Sequence, residues 1–255
     1  MKPIVKIIFS DNIRSKIVIT YFAMLALMSW TALLLEDSPS KGALTMLNIL
    51  LFVVPLMSLL YTTVYLSGAR EFVVLLLSQP LRRSQVWHAL FAGVAASLAI
   101  AFVLGAGVPA VLCLPAPTSL LVVGAGVAIT LIFTALAFLV AALTSDKTQA
   151  IGAALLLWLF VTMIYDAVLL YAVMLFADYP VERPVALMLM LNPLDLVRFL
   201  VVLQLDVAAM MGYSGAAFRQ FLGSTLGSIA AVLLMLLWMA VPYFLSLRAF
   251  RRKDL

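Results

Sequence analysis

Asp166, His88, Met210 and Met211 are the residues of this chain whose types and placement could do chemistry. Asp166 lies inside a long apolar run beside Tyr165, where an ionised carboxylate facing hydrocarbon costs a few kcal/mol. It needs a partner: either it is a proton or substrate site, or it is a carboxyl bonded to Tyr or Thr groups of a neighbouring helix. Met210 and Met211, beside Gly212 and Tyr213, carry soft thioethers of the kind Cu(I) takes, although methionine in apolar sequence serves equally as packing filler. An intramembrane hydrolase would need an H-E-x-x-H helix, paired membrane aspartates, or a serine activated by histidine. His88 falls near the end of an apolar run and Asp166 stands alone, so no catalytic residue is expected. The single cysteine, Cys113, and single histidine leave no zinc-spaced set of thiolates and imidazoles. No G-x-x-x-x-G-K-[ST] sequence occurs, so neither a Walker cradle nor a resident metal or cofactor is expected in the chain.

The elements that position these residues follow from composition. Hydrophobic residues make up 66% of the 255, charged residues only 11%, and mean hydropathy is +1.20. A water-facing surface cannot be built from so little charge, so lipid must cover most of the chain. Crossing a hydrocarbon core of about 30 Å takes roughly 20 apolar residues as a helix. Six stretches qualify: 17–35, 44–66, 86–112, 119–143, 150–177 and 222–247. They are too long and unalternating for barrel strands, so the expected class is an all-α membrane protein with six transmembrane helices in one domain, 1–255. Gly223-x-x-x-Gly227 opens the last of them and permits close helix approach.

Orientation follows from the cations. With the N-terminus inside, Lys2, Lys6, Arg14, Lys16, Arg70, Arg82, Arg83, Lys147, Arg248, Arg251, Arg252 and Lys253 are cytoplasmic, twelve in all. Lys41, Arg183, Arg198 and Arg219 are outside, which makes four and satisfies the positive-inside rule with both termini in the cytoplasm. The net charge of +5 is thus topological, and no basic face with interleaved aromatics points to nucleic acid. The first run is too long for a cleaved signal and lacks a small-x-small site, so it is expected to stay as an anchor. Ile4, Val5, Ile7, Ile8 and Phe9 among the leading cations suggest a short interfacial helix, or else a frayed basic tail.

Two connecting segments carry pattern. Residues 67–84 hold an Arg70-Glu71 pair, an apolar turn through Leu77, then Gln79-Pro80-Leu81-Arg82-Arg83. A short surface helix over 69–78 would put Phe72, Leu75 and Leu76 in a groove on another protein, with Arg70 and Glu71 as polar rim; the alternative is an ordinary basic loop. Outside, 178–220 is the one long non-spanning stretch. Asn192 as N-cap, Pro193 at the first helical position and Asp195 in the first turn predict a helix, amphipathic or re-entrant, running towards Gly212.

The Arg-Glu, Leu-Leu, Pro and Arg elements, in this order between the second and third of six spans, resemble the coupling helix of ABC-2 type permeases. Asn192-Pro193-Leu194-Asp195-Leu196-Val197-Arg198, Gln204-Leu205-Asp206 and the stretch Ala209 to Ala216 resemble the outer segment of the NosY branch of that family. Where many ABC-2 permeases carry a basic residue at the start of the third span, Trp87, His88 and Ala89 stand instead. The resemblance implies a type V exporter-like fold in a bacterial inner membrane. It implies a homodimer served by a NosF-like cytoplasmic ATPase, which binds ATP and Mg, and by a periplasmic NosD-like protein in copper-site maturation of nitrous oxide reductase. Arg70, Glu71, Phe72, Leu75, Leu76, Gln79, Pro80, Arg82 and Arg83 would then couple to the ATPase. Asn192, Asp195, Arg198, Asp206, Met210, Met211 and Tyr213 would contact the periplasmic partner. The alternative within transport is an exporter of a hydrophobic or peptide substrate.

Overall fold

The computed structural model describes residues 2–78, 80–176, 188–204 and 225–252. Gln79, Asp206, Met210, Met211, Tyr213 and Gly223 lie outside the described residues. Among those described, no strand occurs and six helices are long and apolar enough to cross a bilayer. Backbone amides that meet lipid must pair within their own segment, which only the helix allows here.

Two short helices accompany the spans at one end. In chain order the elements are α1 (Lys2–Ile13), α2 (Lys16–Leu34), α3 (Pro39–Gly68), α4 (Arg70–Leu77) and α5 (Arg83–Cys113). These are followed by α6 (Ala116–Leu143), α7 (Lys147–Leu175), α8 (Pro193–Gln204) and α9 (Thr225–Arg252). Helix starts come from local chemistry: Ser38 is extended, its hydroxyl accepts from the Lys41 amide at 3.4 Å, and Pro39 occupies the first turn.

Helices α3, α5 and α6 form the enclosed centre, while α7 and α9 keep most of their apolar surface outward. At the centre the ring tip of Phe102 of α5 meets Gly126 of α6, where a Cβ would fall 2.0 Å from Cζ. Glycine is what lets α5 and α6 pass so closely.

The N-terminal residues form a helix that packs on α5. Ile8 fills a notch at Gly93, where a Cβ would meet Ile8 Cγ2 at 2.5 Å and its Cβ at 2.8 Å. Asn12, fully buried, accepts from the Tyr61 hydroxyl of α3 at 2.5 Å and donates to the Ile8 carbonyl at 2.7 Å. Ile7 faces away, so the helix carries one packed side and one free side.

Two spans contain a π turn, Val103–Gly107 in α5 and Phe160–Ile164 in α7. In the second, the Tyr165 amide bonds Phe160 five residues back, which leaves the Val161 carbonyl without its usual helical donor.

Candidate functional site

Three clusters hold the side chains singled out by sequence. The first is α4. Its eight residues turn Val73 and Leu76 into the chain, while Phe72, Val74 and Leu75 face outward, Leu75 at 66% exposure. Leu76, expected beside Phe72 and Leu75 on the outward face, is on the inner one. Glu71 is exposed. Arg70 is not a free rim residue: its guanidinium donates to the carbonyls of Thr144, at 3.3 Å, and Ser145. These oxygens close the C-terminal end of α6, where the helix leaves carbonyls unpaired and the macrodipole favours a cation. Ser78 ends α4 with its amide on Val74 at 3.0 Å and its hydroxyl on Leu75 at 2.8 Å. Pro80 follows, and the Arg82 amide donates to Gln85 at 3.2 Å as α5 begins.

Around α4 the chain is hollow. An open cavity of about 600 Å³ lies between α1, α3 and α4, with Ile8, Asp11, Tyr65, Phe72 and Lys147 in its walls. A smaller one of about 80 Å³ is lined by Ser67, Arg70, Val73, Trp87, Ala142 and Phe250.

The second cluster binds the start of α5 to α9. Trp87 donates through Nε1 to Ser246 at 3.1 Å and stacks on Phe250 with ring centres 4.2 Å apart. His88 Nδ1 bonds the Tyr243 hydroxyl, and Arg83 donates to the Arg251 carbonyl at 3.4 Å. The segment Trp87-His88-Ala89, noted in the sequence for its lack of a basic residue, thus holds α9 by aromatic stacking and hydrogen bonds. His88 and Asp166 belong to different clusters, so the structure does not bring these two together.

The third cluster joins α7 to α8. Asn192 caps α8 by accepting from the Leu194 amide at 3.0 Å, as the Asn-Pro-x-Asp spacing predicts. Its other atom, Nδ2, donates at 3.0 Å to Val161, the carbonyl that the π turn leaves over. Asp166 finds its partner in Arg198 of α8, at 3.4 Å, and the same guanidinium nitrogen lies 3.7 Å from Asp195. Asn192 and Asp195, expected among partner contacts, are 2% and 5% exposed and spend their side chains inside the chain. Arg198 remains half-exposed. Burial pushes the Asp195 carboxyl up to about 6; the Asp166 charge adds to this, while Arg198 and Asn192 oppose it. Sequence reasoning had no signal for the π turn that gives Asn192 its second role, nor for the Trp87 stack.

No group of three or more His, Cys, Asp and Glu gathers among the described residues. Two of the clusters clasp a short helix to the end of a long apolar span, and the other clasps two spans, α5 and α9, to each other.

A family model described as ABC-2 family transporter protein matches residues 3–255. A probable ABC transporter permease protein NosY of Pseudomonas aeruginosa is 30% identical over 216 residues, 80% of this chain and 77% of that protein. A second protein so described, of Stutzerimonas stutzeri, is 28% identical over 221 residues, 79% and 76% of the two chains. With six lipid-facing helices and a match along nearly its whole length, this multi-pass membrane protein belongs to the ABC-2 family of transporter permeases.

Proposed function

We propose that this chain is the membrane half of an ATP-driven machine whose separate cytoplasmic ATPase presses on α4, and whose spans carry that motion to α8 and the outer segment. The observation that carries this reading is the Arg70 clasp. Because Arg70 holds α4 to the α6–α7 turn, a push on Phe72, Val74 and Leu75 loads α3, α6 and α7 together. An unclasped helix would yield without moving the spans.

In this reading the α4 end is cytoplasmic, in keeping with its excess of Lys and Arg, and two copies of the chain meet two copies of the ATPase in a bacterial inner membrane. ATP and Mg belong to the ATPase. Likeness to the NosY permeases extends the proposal to a NosD-like periplasmic partner and to copper-site maturation of nitrous oxide reductase. Of the expected contacts, Arg198 is the described one with free surface, and Asn192 and Asp195 act by holding α8 in place. Asp206, Met210, Met211 and Tyr213 remain proposed contacts.

The test is purification of the full chain with its neighbours. Phe72→Asp with Leu75→Asp is expected to release the ATPase and leave the periplasmic protein bound. A Gly-Ser replacement of residues 205–216 is expected to do the reverse. An ATPase retained by the first variant would defeat the coupling role, and a periplasmic partner retained by the second would defeat the outer assignment in favour of simple export.

A further inference from the structure

The Asp166, Asp195 and Arg198 cluster is charge-unbalanced. One guanidinium nitrogen lies within 4 Å of two carboxylates, so the pair of acids faces a single cation. Asp195 is buried, and its Oδ2 has no hydrogen-bond partner. Around it lie Leu189, Met190, Leu196, Phe199, Leu200 and Ala231, which line a void of about 10 Å³. An ionised oxygen in such apolar surroundings is unfavourable unless something neutralises it.

We infer that Asp195 and Asp166 together bind one exchangeable proton beneath Arg198, and that this proton decides how firmly α8 is held against α7. With the proton in place, one carboxylate and one guanidinium balance, and the carboxyl can donate to the neighbouring carboxylate. Without it the cluster carries a net negative charge, one carboxylate of which is the buried Asp195, and α8 loosens. The raised Asp195 value, about 6, agrees with this. Among the described residues Asp166, Arg198 and Asn192 are the groups that act on Asp195. Tyr165 of α7 stands beside the cluster with its hydroxyl on the Met188 carbonyl. Of the other helices packed on α8, α6 has no Asp, Glu, Lys, Arg, His or Tyr, α9 carries Tyr243, Arg248, Arg251 and Arg252, and α3 carries Lys41, Tyr61 and Tyr65; none of these acts on Asp195. The inference holds whether or not α4 couples to an ATPase.

The experiment uses the full chain in lipid nanodiscs. Infrared difference spectra between pH 8 and pH 5 are expected to show one carboxylic C=O band growing in near pH 6, absent in both Asp195→Asn and Asp166→Asn. Amide hydrogen exchange over residues 193–204, corrected for the intrinsic rate at each pH, is expected to slow about tenfold at pH 5 relative to pH 8. Asp195→Asn should be slow at both values, and Asp166→Asn should show no pH dependence. A carboxylic band that titrates near 4, or that survives in Asp195→Asn, overturns the shared proton. Equal protection of the wild type at pH 5 and pH 8 overturns its effect on α8.

Discussion

Arg70 reaches 74 residues along the chain to the carbonyl of Thr144, at 3.3 Å, and goes on to that of Ser145. The first residue of α4 is thereby held to the turn that follows α6, although neither segment contains any pattern naming the other. A hydrogen bond from a charged donor contributes about 1.5–3 kcal/mol, and the part exposure of Arg70 lowers this towards 1. On the coupling role proposed above, Arg70→Ala is expected to leave the chain folded, to keep an ATPase bound through Phe72 and Leu75, and to reduce permease-stimulated ATP hydrolysis about tenfold or more, measured in nanodiscs. Unchanged stimulation would show that the clasp transmits nothing.

The notch at Gly93 offers a test of α1. A methyl group there would sit 2.5 Å from Ile8 Cγ2, so Gly93→Ala is expected to cost about 1–3 kcal/mol as overpacking and to expose α1 to protease. Ile8→Ala in the same chain should recover part of that loss, because the offending methyl is gone while the 2.8 Å approach of the Ile8 Cβ remains. A thermal-shift double-mutant cycle reads the coupling; additive losses would mean the two residues do not meet.

Asn192 serves two acceptor and donor roles that substitution can separate. Asn192→Asp keeps an oxygen for the Leu194 amide but cannot donate to Val161, whereas Asn192→Ala loses both. The expected losses are about 1–3 kcal/mol for the first, as a buried carbonyl goes unpaired, and about 1 kcal/mol more for the second. Equal melting temperatures for the two variants would argue against the cap.

Stability should also depend on pH through Asp195. Its carboxyl titrates at about 6 in the folded chain against 3.8 ordinarily, so the folded state prefers the protonated form. That preference contributes fully below about 3.8 and is lost as pH rises through about 6. Asp195→Asn is thus expected to match the wild type at pH 4 and to exceed it at pH 7.5 by an amount on the order of 2 kcal/mol. A wild-type melting temperature flat across this interval would contradict it.

Hydropathy made the spans legible because a bilayer imposes length and apolarity on each of them separately. Ile17 to Leu35 was expected and Lys16–Leu34 is found; Ser119 to Leu143 was expected and Ala116–Leu143 is found. Differences fall at polar ends, as where Ser38 and Pro39 start α3 five residues before the apolar run at Leu44. The short helices were equally readable: Arg70–Leu77 sits inside the expected 69–78, and the Asn192 cap opens α8. Pairings between distant residues were not. Asp166 demanded a partner, and nothing in the spacing names Arg198 as that partner, because a charge reads the same whether or not it also turns back to its own chain. Phe72, Leu75 and Leu76 share a helical spacing, yet only contact with the rest of the chain decides that Leu76 joins Val73 inside.

The π turn in α7 amounts to one residue more than an α-helix needs, and each residue advances a helix by 100°. Everything beyond Ile164 is therefore rotated about a quarter-turn from where the first half of the span would have aimed it. Removing a single residue within 160–164 would restore regular winding, give the Val161 carbonyl back to its own helix, and swing Asp166 away from Arg198. The docking of α8 is thus keyed to a phase offset inside the span, and it can be undone without altering any residue of α8.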